Sequence, residues 1–158
     1  MSEPSPPDAG QGPFVQVAVF CDQVIEAKDG TLSLIRVIDQ VTSTVTGTDV
    51  PELMPPMPVQ CKLVISLKPG KARGRYALKI RPEEPSGAQL PALEVPVHLE
   101  GGNRGINFAT DFHFVANHEG LYWFDVLLVR GQDDDGALLT RLPLEVKYQP
   151  IRLTPPLG

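Results

Sequence analysis

The feature that most limits this chain is an alternation of apolar and polar residues with period two, punctuated every eight to twelve residues or so by turn formers. Alternation of that kind places every second side chain on one face of a strand. Val59, Cys61, Leu63, Ile65 and Leu67 share one parity, as do Ile106, Phe108, Phe112 and Phe114, and later Leu138, Thr140, Leu142, Leu144, Val146 and Tyr148. Phe14 to Ile25 and Leu121 to Val129 are apolar at both parities, which suits strands covered on both sides. Asp29-Gly30 is a strong hairpin signal. Between Thr31 and Val45 the alternation changes phase, from Leu32 and Leu34 to Ile35 and Val37, which predicts a β-bulge. The Val50–Pro58 stretch carries four prolines and reads as a loop, with room for one helical turn. With 17 prolines and 14 glycines in 158 residues, long helices are excluded. The pattern predicts an all-β, antiparallel β-sandwich of eight or nine strands, Ig-like or jelly-roll-like, with a closed barrel as the alternative. One domain spans residues 14–149, between a Pro-rich N-terminal tail (1–13) and a short C-terminal tail (150–158).

No run approaches the roughly 18 apolar residues of a membrane span, and no basic and apolar leader opens the chain. The expectation is a cytoplasmic protein with no membrane partner. Cys21 and Cys61 lie in apolar strands without a C-x-x-C spacing, so they read as buried thiols.

Catalytic patterns are missing: there is no G-x-S-x-G, H-E-x-x-H, phosphate-binding loop or G-x-G-x-x-G. His98, His113 and His118 have no acidic residue at ligand spacing and read as solvated imidazoles. Asp133-Asp-Asp-Gly136 superficially suggests calcium, but the twelfth position from Asp133 is Leu144, where a bidentate Glu is needed. The expectation is therefore no enzyme, no metal and no cofactor.

Two surface features remain. If Tyr122 and Phe124 face the core, Leu121, Trp123 and Leu127 face outward and form an apolar patch centred on a tryptophan. The Met-containing loop with Leu53, Met54 and Met57 either offers a second apolar surface or folds over Trp123. Separately, Gln60 to Arg81 holds seven basic residues and no acid, while the rest of the chain carries seven basic and 19 acidic residues, a balance of −12. If residues 62–81 form one hairpin, Arg75, Lys79 and Arg81 share its outer face with Lys62 and Lys68. Such a face solubilises an edge or contacts an anionic partner such as nucleic acid or a phosphate-bearing ligand. The first reading of function is a non-catalytic protein-interaction or structural module, with a protein partner or self-association. The second is anion binding by the basic hairpin.

Val17-Ala-Val-Phe-Cys-Asp22, Asp29-Gly-Thr-Leu-Ser-Leu-Ile-Arg-Val-Ile-Asp39 and Gly120-Leu-Tyr-Trp-Phe-Asp-Val126 ahead of Leu142-Pro-Leu-Glu-Val146 resemble a family of small bacterial β-sandwich proteins of unknown function. The sequence departs from that pattern at Ser33 to Arg36 and has a longer tip at Asp133–Asp135. The resemblance implies a sandwich in a bacterial cytoplasm and carries no activity with it.

Overall fold

A computed structural model describes residues 12–102, 104–131 and 135–155. The N-terminal tail lies almost wholly outside the described residues, as do Asp133 and Asp134 of the acidic tip. Nine strands account for the fold, with no helix among the described residues: β1 (Phe14–Glu26), β2 (Leu32–Ile38), β3 (Gln40–Gly47), β4 (Met57–Lys68), β5 (Gly74–Glu83), β6 (Leu93–Leu99), β7 (Ile106–Ala116), β8 (Gly120–Val129) and β9 (Ala137–Arg152). They form a four-stranded sheet A, ordered β2-β1-β4-β7, and a five-stranded sheet B, ordered β3-β9-β8-β5-β6. The sandwich is the expected fold, and every pairing is antiparallel except that of β3 with β9, which is parallel. β9 also continues to Arg152, three residues into the segment read as a tail, because β3 pairs with it up to Gly47.

The core follows the alternation. Leu63, Ile65 and Leu67 of β4, Leu78 and Ile80 of β5, Tyr122, Phe124 and Val126 of β8, and Leu144 of β9 are fully enclosed between the sheets. At its centre the Phe124 ring meets Phe20 at 5.0 Å, Phe114 at 5.3 Å and Phe112 at 5.4 Å, all edge-on. Rings at such separations favour this tilted packing electrostatically. Five aromatics from β1, β7 and β8 thus pin the sheets together, and both cysteines are free.

Tyr122 fixes the turn before β8. Its hydroxyl donates to the His118 carbonyl at 2.7 Å, the tyrosine corner found in immunoglobulin-like sandwiches. Burial pushes the phenol's pKa up. Gly120 at this corner has φ +136°, and a Cβ there would stand 2.7 Å from the Pro85 ring, so only glycine fits.

Several local expectations are corrected. The phase change after Leu34 falls at Arg36, whose φ is +56°, and pairing with β1 keeps one register across it, so no residue is inserted. The chain then leaves sheet A at Asp39 and enters sheet B as β3. In β9 a register shift opposite Val126 and Leu127 places Leu139, not Leu138, against the core. The proline loop is not a free apolar surface: Met54 is buried, Met57 packs on the core, and only Leu53 projects, 85% exposed. The Tyr148 hydroxyl anchors that loop by donating to the Pro51 carbonyl at 2.7 Å.

Candidate interaction surfaces

On the outer face of sheet B, Asp125 stands between Arg81 on β5 and Arg141 on β9. Its carboxylate accepts from Arg141 Nε at 2.7 Å and Arg81 Nη2 at 3.2 Å, and Arg141 also reaches Glu83 at 3.7 Å. Asp125 is only 8% exposed, yet both oxygens are partnered. No buried side-chain nitrogen or oxygen lacks a hydrogen bond among the described residues. Burying a carboxylate requires such pairing.

This network decides the fate of the tryptophan patch. Tyr122 and Phe124 do face the core, and Trp123 does face outward. But the Arg141 guanidinium lies 4.7 Å from the Trp123 ring centroid, a cation–π contact that half-covers the indole. Leu127 is completely buried, with the Gly136 backbone folded close against its Cβ. Leu121 alone stands open, at 42%. The cover over Trp123 is thus an arginine from β9, not the proline loop.

The basic hairpin does not exist. β4 belongs to sheet A and β5 to sheet B, so Lys62 and the Arg75–Lys79–Arg81 row lie on opposite outer faces of the sandwich. Lys62 is paired with Asp111, whose carboxyl it holds below the usual range. Arg81 is engaged by Asp125. Arg75 and Lys79 line a shallow hollow of about 310 Å³ with Tyr76, Glu94 and Arg130, where Arg130 sits 5.4 Å from the Tyr76 centroid. Glu94 lies directly across from Lys79 in the β5–β6 ladder, so the charge there is mixed.

A different surface comes from the edges. The two sheets end in four edge strands, β2, β3, β6 and β7. β6 has seven residues with Pro96 at its middle, and β2 is broken by the left-handed Arg36. β7 runs eleven residues, from Ile106 to Ala116, with no proline, no lysine and no register shift against β4. These are the devices by which edges are ordinarily blunted, and β7 lacks all of them. Beside its second half lies a cavity of about 510 Å³, bounded by Asp111–Val115 and by Leu90–Leu93 leading into β6. Phe112 and Phe114 line it from one side, and the half-open Val115 and Leu93 flank its mouth, at 50% and 36% exposure. The rings of β7 rest on Tyr122 and Phe124 of β8. Sheet A has four strands where sheet B has five. Nothing in period-two patterning reveals this; the signal available was an eleven-residue alternating stretch without Pro or Lys.

The three histidines do not converge. His98 is exposed on β6, His113 on β7 and His118 in the turn before β8. No cluster of His, Cys, Asp or Glu fit to hold a metal occurs among the described residues. Burial pushes the Cys61 thiol up to about 11, with the charges of Cys21 and Asp22 adding to the effect, and burial raises Cys21 as well. Neither thiol has the electropositive, accessible setting that a nucleophile needs. No helix of the described residues is long and apolar enough to cross a membrane.

Among solved structures the chain is similar to the CARDB domain of the PF1109 protein from Pyrococcus furiosus, crystallised with di-metal ions, at 10% identity and a TM-score of 0.39 over 88% of this chain and 99% of that one. It is also similar to an immunoglobulin-like protein (PA1606) from Pseudomonas aeruginosa, at 14% identity and 0.39 over 87% and 98%, and to the C-terminal domain of wzt, at 13% and 0.36 over 65% and 62%. No curated protein matches the sequence. The sequence profile of a family of unknown function, DUF6941, matches residues 16–147, nearly the whole sandwich from β1 into β9, and the chain belongs to that family.

Proposed function

We propose that the protein is a non-catalytic interaction module that takes up one extended segment of a partner polypeptide along the free edge of β7. The observation that carries this reading is the unguarded eleven-residue edge strand beside a cavity of about 510 Å³ lined by Phe112, Phe114, Val115 and Leu93. In strand addition, main-chain hydrogen bonds supply affinity and pockets for alternate side chains supply specificity. Here Phe112, Phe114 and Leu93 would receive the inward side chains of the added strand.

The occupant is a single segment from another polypeptide. The terminal segments of this chain are poor donors: Pro4, Pro6 and Pro7 precede β1, and Pro155 and Pro156 follow β9. Proline withholds the amide that a ladder needs. The C-terminal segment also leaves from the β3 side of sheet B, at the opposite edge. The unpaired Cys21 and Cys61 support a reducing, cytoplasmic setting for the module.

The test is selection of displayed linear peptides on the intact protein, followed by amide hydrogen exchange of the complex. Binders with apolar residues at alternate positions that protect the Asp111–Asn117 amides support the reading. Binders that protect another surface, or an exhaustive selection that yields none, overturn it. The variant Val115→Lys places a charge at the cavity mouth and is expected to weaken such binders at least tenfold.

A further inference from the structure

We infer that residues Asp22–Arg36 form a hinged arm, a lid on the outer face of sheet A that opens as a unit while the sandwich stays folded. β1 pairs with β4 only as far as Cys21, and beyond that point its sole ladder partner is β2. The hairpin does not continue outward in the plane of the sheet. Its tip lies back across the outer face, where Asn107 of β7 donates to the Gly30 carbonyl at 3.4 Å. Leu32 and Leu34 stand with Val17, Val64, Ser66 and Asn107 around a cavity of about 280 Å³. Val64 and Ser66 belong to the outward parity of β4, so the arm roofs that face.

The root of the arm has the features of a hinge. Arg36 holds φ +56°, a conformation disfavoured for any residue with a Cβ. Asp22 and Arg36 are the one opposed pair within the β1–β2 ladder that makes no bridge, and their side chains are joined by a largely exposed ion pair at 3.1 Å. Such a pair contributes little in water. The roof is thinly fastened: a long hydrogen bond at the tip and leucines over an incompletely filled space. Few buried contacts of this kind mark a low-stability unit that opens below the global unfolding free energy. Opening uncovers an apolar strip containing Val17, Val64 and Cys21, whereas the main core between the sheets stays closed.

The two free thiols report on the two levels. Cys21 is fully buried at the root of the arm, its Sγ donating to the Gln23 carbonyl at 3.5 Å, while Cys61 lies in the core between the sheets. The experiment is Ellman labelling of the native protein at pH 8, with each thiol followed in the Cys61→Ala and Cys21→Ala variants and in wild type by mass spectrometry. Cys21 is expected to react at least tenfold faster than Cys61. Gly30 has φ +86° with open space around it, so Gly30→Ala strains only the tip and should raise the Cys21 rate about fivefold to tenfold. Asn107→Ala should raise it about twofold to fivefold. Neither should change the Cys61 rate. Wild-type amide exchange over Gln23–Ile35 provides a reading free of cysteine substitution, and those amides should open well below the global free energy. Equal labelling rates for the two thiols, or arm amides that exchange only with global unfolding, would overturn the inference.

Discussion

The two margins of sheet A solve the same problem in opposite ways. On the β2 side the chain overruns the sheet and folds back over it, so that Cys21 and Val64 on the outer face are hidden. On the β7 side the edge is left open, and Phe112 and Phe114 line a cavity beside it. One margin is roofed by its own chain, and the other is not. An exposed, long, flat edge is an aggregation hazard unless something occupies it. In the proposed strand addition, the open side is where the partner segment sits.

The largest expected effect comes from the point on which both margins rest. Phe124 meets Phe20 from the roofed side and Phe112 and Phe114 from the open side. Phe124→Ala is expected to cost about 3–5 kcal/mol in urea denaturation. A loss under about 1 kcal/mol would mean that the two margins do not share a core. Tyr122→Phe acts on the open side alone, removing the donor to the His118 carbonyl, and is expected to cost about 1 kcal/mol and to speed amide exchange at the β7–β8 turn.

The thiols provide a titration. The Cys61 thiol is raised from its ordinary 9.0 to about 11, so folding favours its neutral form. That contribution is fully present below pH 9 and is lost as pH rises from about 9 to 11, through the folded-state value. Stability should therefore fall across this window, and the fall should be shallower in Cys61→Ala; an unchanged slope would remove Cys61 as its source. The smallest effect is expected at the open margin. Val115→Lys should change stability by no more than about 0.5 kcal/mol, because it alters only a half-exposed side chain. A loss above 2 kcal/mol would show that this edge is part of the core.

Much of this architecture is legible in the sequence. Parity assigns Val59 through Leu67, Tyr122 and Phe124 to the core, and Asp29-Gly30 marks the arm's tip, where Asp29 accepts from the Thr31 amide at 3.0 Å. Parity says which side of its own strand a residue occupies. It does not say which sheet that strand joins, and so Lys62 and Lys79, adjacent in a reading of one hairpin, lie on opposite sides of the molecule. Nor does it register cover that arrives from afar. Trp123 is outward as its parity requires, yet Arg141, eighteen residues on, stands over it. The cavity beside β7 is bounded by Asp111–Val115 of one sheet and by Leu90–Leu93 leading into the other, a property of no single segment.

The parallel pairing of β3 with β9 sets a timetable for the growing chain. Gln40 must wait for Glu145, 105 positions later, before its ladder can close. At ribosomal rates of about 5–20 residues per second, that is a delay of about 5–20 s during which β3 is a strand without a sheet. Its sequence suits the wait: four of the eight residues of Gln40-Val-Thr-Ser-Thr-Val-Thr-Gly47 are hydroxylated, and only Val41 and Val45 offer much to a passing apolar surface. β3 is thus fastened by a strand made 105 residues after it, and a nascent chain halted before Glu145 should remain open to protease at Gln40–Gly47, however well β1, β4 and β7 have assembled.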